Sequence, residues 1–428
     1  MRALVLLGLL VLPRATLAAV GADVVESARN DFLTLHGDRP IDVITIEGLH
    51  RTKPAVVREW VTVHEGDRLS RFDAHTTWEN LSRLGIFSHV DIGFVPLASG
   101  GVEIRITVAE KWSLYPVPML IYWNDTQIAG LVLAESNAFG YNKGWALGGI
   151  YSNRGWYTIA SYVDPNIAFS NFYGKLSVLV GSGLLENQTP DGRTFQSFDL
   201  DRYDVQYSIG YTIAGKFSPT LTGAFRSADV GTIHVPAMEA PVAGSVVSQG
   251  IKLIYNDRRA RLYYDKGLRS SIEYQHAFSV GKNDLSFDNL ITETSYTTET
   301  IFDHTLQLGL YWARSQLPLV FEHRLGGLEG TRTLPAGLVP ADRYLSATAI
   351  YQIPFWKGSW GTATVLGLIE GGRYKQDGRP GVPYWGPGGG LSIYLAKVTT
   401  PTIGVDVAYE MMTGTPTFSL AIGFRPTR

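Results

Sequence analysis

The residue patterns that usually carry catalysis are missing from this sequence. It has no Gly-x-Ser-x-Gly, no His-Glu-x-x-His, no phosphate-binding loop and no cysteine. His234, His276, His304 and His323 are scattered without metal-ligand spacing and read as loop or girdle side chains. No enzymatic activity, cofactor or metal is expected. One charge stands out instead. Arg332 lies in LGGLEGTRTLPAG, Leu325 to Gly337, a glycine-rich connection between two stretches of alternating apolar and polar residues. A carboxylate that could meet it is Glu370. On the segment Thr362 to Gly371, Ala363, Val365, Gly367 and Ile369 share one face, while Thr362, Thr364 and Glu370 share the other. Guanidinium and carboxylate can form a bidentate pair, and an unpaired charge inside a protein is costly. From the residues alone the plainer reading, a solvated loop charge, is favoured, because most charged loop residues are exposed.

The elements that would position such a pair are strands. From Trp112 onward the apolar residues recur every second position. In YDVQYSIGYTI, residues Tyr203, Val205, Tyr207, Ile209, Tyr211 and Ile213 share a face; in TLQLGLYW, Leu306, Leu308, Leu310 and Trp312 do. GLRSSIEYQH, TIGVDVAY and TFSLAIGF repeat the pattern. A period of two is a strand, and one wholly apolar face must leave water. A secreted β-sandwich alternates in the same way. Two features favour a membrane barrel: many segments of about ten residues, the length of a tilted spanning strand, and tryptophans near segment ends, where an interfacial girdle lies. The segments after Trp112 number about sixteen, even as bacterial barrels require.

Composition agrees. The 428 residues include 22 tyrosines, 10 tryptophans and 46 glycines, with a net charge of -2. The near-neutral balance argues against a nucleic-acid partner. Residues 1–22 read as a signal peptide, with Arg2, the apolar run Ala3 to Leu12 and small residues suited to cleavage after Ala18 or Ala22. Residues 23–39 read as a linker or short helix. Residues 40–111 read as a β-α-α-β-β unit: IDVITIEG is a strand, Pro54 starts a helix, and Trp78, Leu81 and Leu84 recur at threes before Gly85. Residues 112–428 form the barrel.

At this point the chain resembles a known family, the BamA/TamA-like outer-membrane assembly superfamily, also called bacterial surface antigens. IEGLHRTKPAVVREWVTVHEGD looks like a POTRA domain, with Gly48, Arg51 and Thr52 in its turn. Leu81, Gly85, Phe87 and Val90 match the POTRA signature. The resemblance implies an all-β transmembrane antiparallel barrel of about sixteen strands behind one small α+β POTRA domain. It places LGGLEGTRTL where the family has Leu-Gly-Gly and then Val-Arg-Gly-Phe/Tyr on a loop folded into the barrel. Leu325, Gly326 and Gly327 match the first part, and Arg332 is kept; Thr333 and Leu334 replace the glycine and the aromatic. LIEGG then puts Glu370 at the family's late acidic position, as the lumen partner of Arg332.

The implied function is assembly or export of polypeptides through the barrel and its first-to-last strand seam. The clients would be unfolded outer-membrane or secreted polypeptides, with periplasmic chaperones and the bilayer as the other partners and the POTRA domain in the periplasm. The seam strands are expected near Tyr115 to Trp123 and Thr417 to Phe424, with Phe418, Leu420, Ile422 and Phe424 on the last. Pro116 and Pro118 remove two N–H donors from the first, which weakens the seam or stiffens a hinge. A single POTRA domain departs from well-known members, which carry two or more. A passive pore, a structural barrel and a lipid or single-client transporter are the alternatives.

Overall fold

The computed structural model describes residues 21–123, 126–189, 191–237, 239–260, 263–326, 331–334, 339–358, 361–376, 379–395 and 402–423. The expected signal peptide lies outside them, apart from Gly21 and Ala22. These two open a helix, α1 (Gly21–His36), whose Ala22, Val25 and Phe32 are buried. Of the two readings of residues 23–39, the helix is observed as far as His36. Ala22, Val25 and Phe32 share its buried face, while Val24 and Leu35 are exposed.

The rest of the N-terminal domain follows the expected order. β1 (Ile41–Glu47), α2 (Pro54–Arg58), α3 (Ala74–Arg83), β2 (Phe87–Pro96) and β3 (Val102–Glu110) form a sheet of order β1-β3-β2 covered by helices. β1 runs parallel to β3 and β2 antiparallel to it. Proline opens α2, and the Asp73 carboxylate caps α3 by accepting from Thr76 N at 2.8 Å. Ile41, Val57, Phe72, Leu81, Phe87, Val90, Ile104 and Ile106 fill the core.

The barrel begins with β4 (Leu114–Trp123), β5 (Thr126–Ala138), β6 (Lys143–Ser152) and β7 (Gly155–Asp164). Three long strands follow: β8 (Phe172–Gln188), β9 (Thr194–Tyr211) and β10 (Phe217–Val235). Next come β11 (Gly244–Asn256), the two-residue β12 (Arg259–Ala260), β13 (Asp265–Val280), β14 (Phe287–Glu299) and β15 (Thr305–Ser315). A small hairpin, β16 (His323–Leu325) and β17 (Val339–Ala341), interrupts the wall. β18 (Arg343–Gly358), β19 (Gly361–Lys375), β20 (Val382–Leu395), β21 (Thr402–Glu410) and β22 (Thr415–Gly423) complete it. Setting aside β12 and the hairpin, sixteen strands form the wall, antiparallel throughout, and β22 returns to β4.

The alternation has the consequence its period requires. Leu308, Leu310, Ile251, Leu253, Ile272, Leu345 and Ile369 are exposed on the outside. Thr362, Thr364, Ser346, Gln352, Ser392, Asp406 and Thr417 are buried on the inside. An apolar outer surface around a polar lumen is stable only in lipid. No helix among the described residues is long and apolar enough to span a membrane. The wall is uneven. At about 3.3 Å per residue, the nine residues of β22 reach roughly 30 Å and the eighteen of β9 roughly twice that.

Candidate functional site

The connection between β15 and β18 turns inward and crosses the lumen. At one side the Arg324 guanidinium donates to Glu186 O at 3.1 Å and to the Asn187 side chain, both on β8. At the other, Thr331 to Leu334 form a turn closed by Leu334 N donating to Thr331 O at 3.2 Å. The two central N–H groups of such a turn lie outside its own hydrogen bond. Here they point at Glu370, which is 3% exposed on β19. Thr333 donates to the carboxylate twice, from its backbone N at 2.6 Å and its hydroxyl at 2.7 Å. The Arg332 N–H also bonds the carboxylate, and its guanidinium charge acts on it. The same turn holds the last strand, because Thr417 on β22 donates to Arg332 O at 2.6 Å.

The structure thus brings Arg332, Thr333, Leu334 and Glu370 together, with Thr333 making two of the bonds that latch the turn. Leu334 is fully buried among Tyr311, Tyr344, Tyr374 and Tyr384. Gly326, at the base of the loop, donates to the Thr331 hydroxyl; Gly327 lies outside the described residues. Two participants were missed. Gly386 on β20 faces Glu370, and a Cβ there would stand 1.8 Å from Tyr409 O and 3.0 Å from Thr333 Cγ2. The loop can press on the wall only because that position is glycine. The glycine-rich GPGGG run was the available signal. Thr417 had none, since its partner is 85 residues away.

The seam is narrow. β22 meets β4 in four register pairs, Ser419 with Trp123, Leu420 with Tyr122, Ala421 with Ile121 and Ile422 with Leu120. β4 pairs with β5 along all ten of its residues. Among the described residues the seam pairs run from Trp123 to Leu120. Tyr115, Pro116 and Pro118 all lie in the first half of β4. Tyr115 points inward and is buried, whereas Pro116 and Pro118 face outward. Phe418, on the outer face of β22, packs its ring 6.1 Å from that of Tyr122; Phe424 falls outside the described residues.

A second connection enters the lumen from the domain side. Tyr263, in the link between β11 and β13, is 5% exposed and stacks 6.0 Å from Tyr394 on β20, on the far side of the wall order. Its hydroxyl donates to Asp303 O, and Arg258 donates to Ser295.

The turn containing Gly48, Arg51 and Thr52 joins the two domains. Glu110 accepts from the backbone N–H groups of His50, Arg51 and Thr52 at 3.2, 3.0 and 2.7 Å. Burial alone would raise this carboxyl, but these bonds and the Thr52 hydroxyl hold it below its ordinary value. The turn then docks on the β5–β6 connection: Arg51 pairs with Glu135 at 3.1 Å, Asn137 donates to the Thr52 hydroxyl at 2.9 Å, and Lys53 N donates to Gly140 O at 2.9 Å. A Cβ on Gly140 would stand 2.0 Å from Arg51 O, so the approach needs glycine there too. Leu81, Gly85, Phe87 and Val90 play no part in this contact; Gly85 ends α3 and the other three are buried in the domain core.

No family model matches the sequence, and no curated protein is similar to it at the sequence level. Solved structures do match. The fold is that of BamA and CdiB. The structure of BamA from Haemophilus ducreyi lacking POTRA domains 1–3 matches with a TM-score of 0.60 at 13% identity, covering 90% of this chain and 85% of that one. CdiB from Escherichia coli gives 0.63 at 14% identity over 90% and 76%. CdiB from Acinetobacter baumannii gives 0.59 at 12% identity over 94% and 81%.

Proposed function

We propose that this chain is an outer-membrane protein that assembles or exports client polypeptides through its barrel and strand seam, with its N-terminal unit acting as a POTRA domain in the periplasm. The observation that carries this reading is the four-pair seam. A barrel in lipid normally satisfies every backbone group by full closure. A seam held by four described pairs is short enough to open, and an opened β4 offers main-chain donors and acceptors that an incoming strand can use whatever its sequence, which is β-augmentation. The short strands at the seam lower the wall there, while β8 to β10 stay tall. The likeness in fold to BamA and CdiB supports the same reading.

The N-terminal domain docks on the β5–β6 connection; with that domain in the periplasm, the β15–β18 loop enters from the cell exterior. A passive pore fits less well, because chain segments cross the lumen from both ends. The test is reconstitution of the full chain in liposomes with an unfolded barrel client. Client folding faster than in empty liposomes is expected; equal rates would remove insertion from the account.

A further inference from the structure

Three neighbouring strands carry an unusual row of cations at the end of the barrel away from the N-terminal domain. Arg314 on β15 lies directly opposite Arg343 on β18, and Arg343 lies directly opposite Lys375 on β19. Arg373 sits on the same outer face of β19, two residues before Lys375, and all four side chains reach the surface. Side chains directly opposite in an antiparallel pair stand about 5 Å apart at Cβ, and like charges there repel.

Several cations elsewhere on the barrel pair with carboxylates. Lys143 pairs with Asp164 at 2.9 Å, Lys357 with Asp303 at 2.7 Å and Arg154 with Glu186 at 2.8 Å. Among the described residues, no carboxylate pairs with Arg314, Arg343, Arg373 or Lys375. The outward carboxylate of the adjacent β14, Asp288, is engaged by the Tyr274 hydroxyl at 2.6 Å and His276 Nδ1 at 2.8 Å. Asp342, next to Arg343 in sequence, is 2% exposed and turned inward.

What lies beside the row decides its ligand. Leu345 faces Arg373 and Trp312 faces Leu345, while Trp385 lies one step further along β20. Leu345 and Trp385 are exposed on the apolar outer surface. The row therefore marks the edge of the apolar belt, at headgroup depth. An anion bound there has apolar wall immediately beneath it, which suits an amphiphile and not a soluble anion. Guanidinium groups grip phosphate oxygens in bidentate fashion, and two of them on facing strands can share one. We propose that Arg314, Arg343, Arg373 and Lys375 bind the anionic, phosphate-bearing headgroup of a lipid in the outer leaflet, whose acyl chains lie along Leu345, Leu310 and Ile369. Bound phosphate removes the repulsion along the row and fixes β15, β18 and β19 at the roots of the inward loop.

This inference rests on the membrane orientation proposed above but not on client insertion. The test uses the full chain in nanodiscs of phosphatidylcholine doped with lipid A, followed by mild extraction and mass-spectrometric measurement of retained lipid. The comparison is a variant carrying Arg314→Gln, Arg343→Gln and Lys375→Gln, with folding checked by heat-modifiable migration. The native chain should retain lipid A preferentially over phosphatidylcholine, and the variant should lose that preference by roughly tenfold or more, as expected for charge-assisted contacts. Equal retention by the two proteins, or no preference in the native chain, would overturn the proposal. So would displacement of lipid A by millimolar inorganic phosphate, which would make this a soluble-anion site. A chain that retains lipid A yet fails to insert clients would leave this site standing and remove only the insertion reading.

Discussion

Thr333 holds the Glu370 carboxylate through its backbone N–H and its hydroxyl. In the resembled motif its position is glycine, which has no hydroxyl to donate. The structure shows the threonine adding a hydroxyl bond to the buried Glu370 carboxylate. Thr333→Val keeps the branched shape and deletes only that bond, so it should cost about 1–3 kcal/mol of barrel stability, read as a lower urea midpoint in detergent. Glu370→Ala removes the acceptor for the Thr333 and Arg332 donors together and should cost more than Arg332→Ala. Equal losses from those two would mean that the guanidinium carries the contact. Gly386→Ala should unseat the turn as well, because its methyl would overlap Tyr409 O.

At the scale of elements, the strands were legible because burial follows parity: a residue's face is decided by its neighbours in sequence. Tyr203, Val205 and Tyr207 announce β9 without help from any other part of the chain. The docking elements were not legible in that way. Asn137 and Thr52 are 85 residues apart, and nothing local in either segment demands the other. Likewise the link carrying Tyr263 reads as an ordinary polar turn until the closed wall brings Tyr394 within reach. Tyr263→Ala should raise single-channel conductance in planar bilayers, since it loosens the segment that crosses the domain-side mouth; unchanged conductance would mean the ring does not obstruct the lumen. The domain turn predicts a pH effect. Glu110 has a lowered folded-state value, so its contribution is present above the ordinary glutamate range and lost as pH falls through the folded value. Amide-exchange protection at His50, Arg51 and Thr52, measured relative to the intrinsic rate at each pH, should therefore fall in acid, and Glu110→Gln should abolish that dependence.

The whole molecule is a barrel with a strong side and a weak side. Continuous ladders run through β8, β9 and β10, where β8 and β9 alone pair over seventeen positions. The opposite side closes through four. The inward turn links the two behaviours, because it binds β19 through Glu370 and β22 through Thr417. Its seat braces the last strand from within. The proposed function depends on that seam being able to open. The sequence contains no cysteine, so Tyr122→Cys with Leu420→Cys, directly opposite across the seam, gives a single defined crosslink. Leu147→Cys with Ala160→Cys, opposite each other between β6 and β7, is the control within a continuous ladder. Oxidising the seam pair should abolish client folding in liposomes and reduction should restore it, with the control pair active throughout. Full activity with the seam locked would contradict the account.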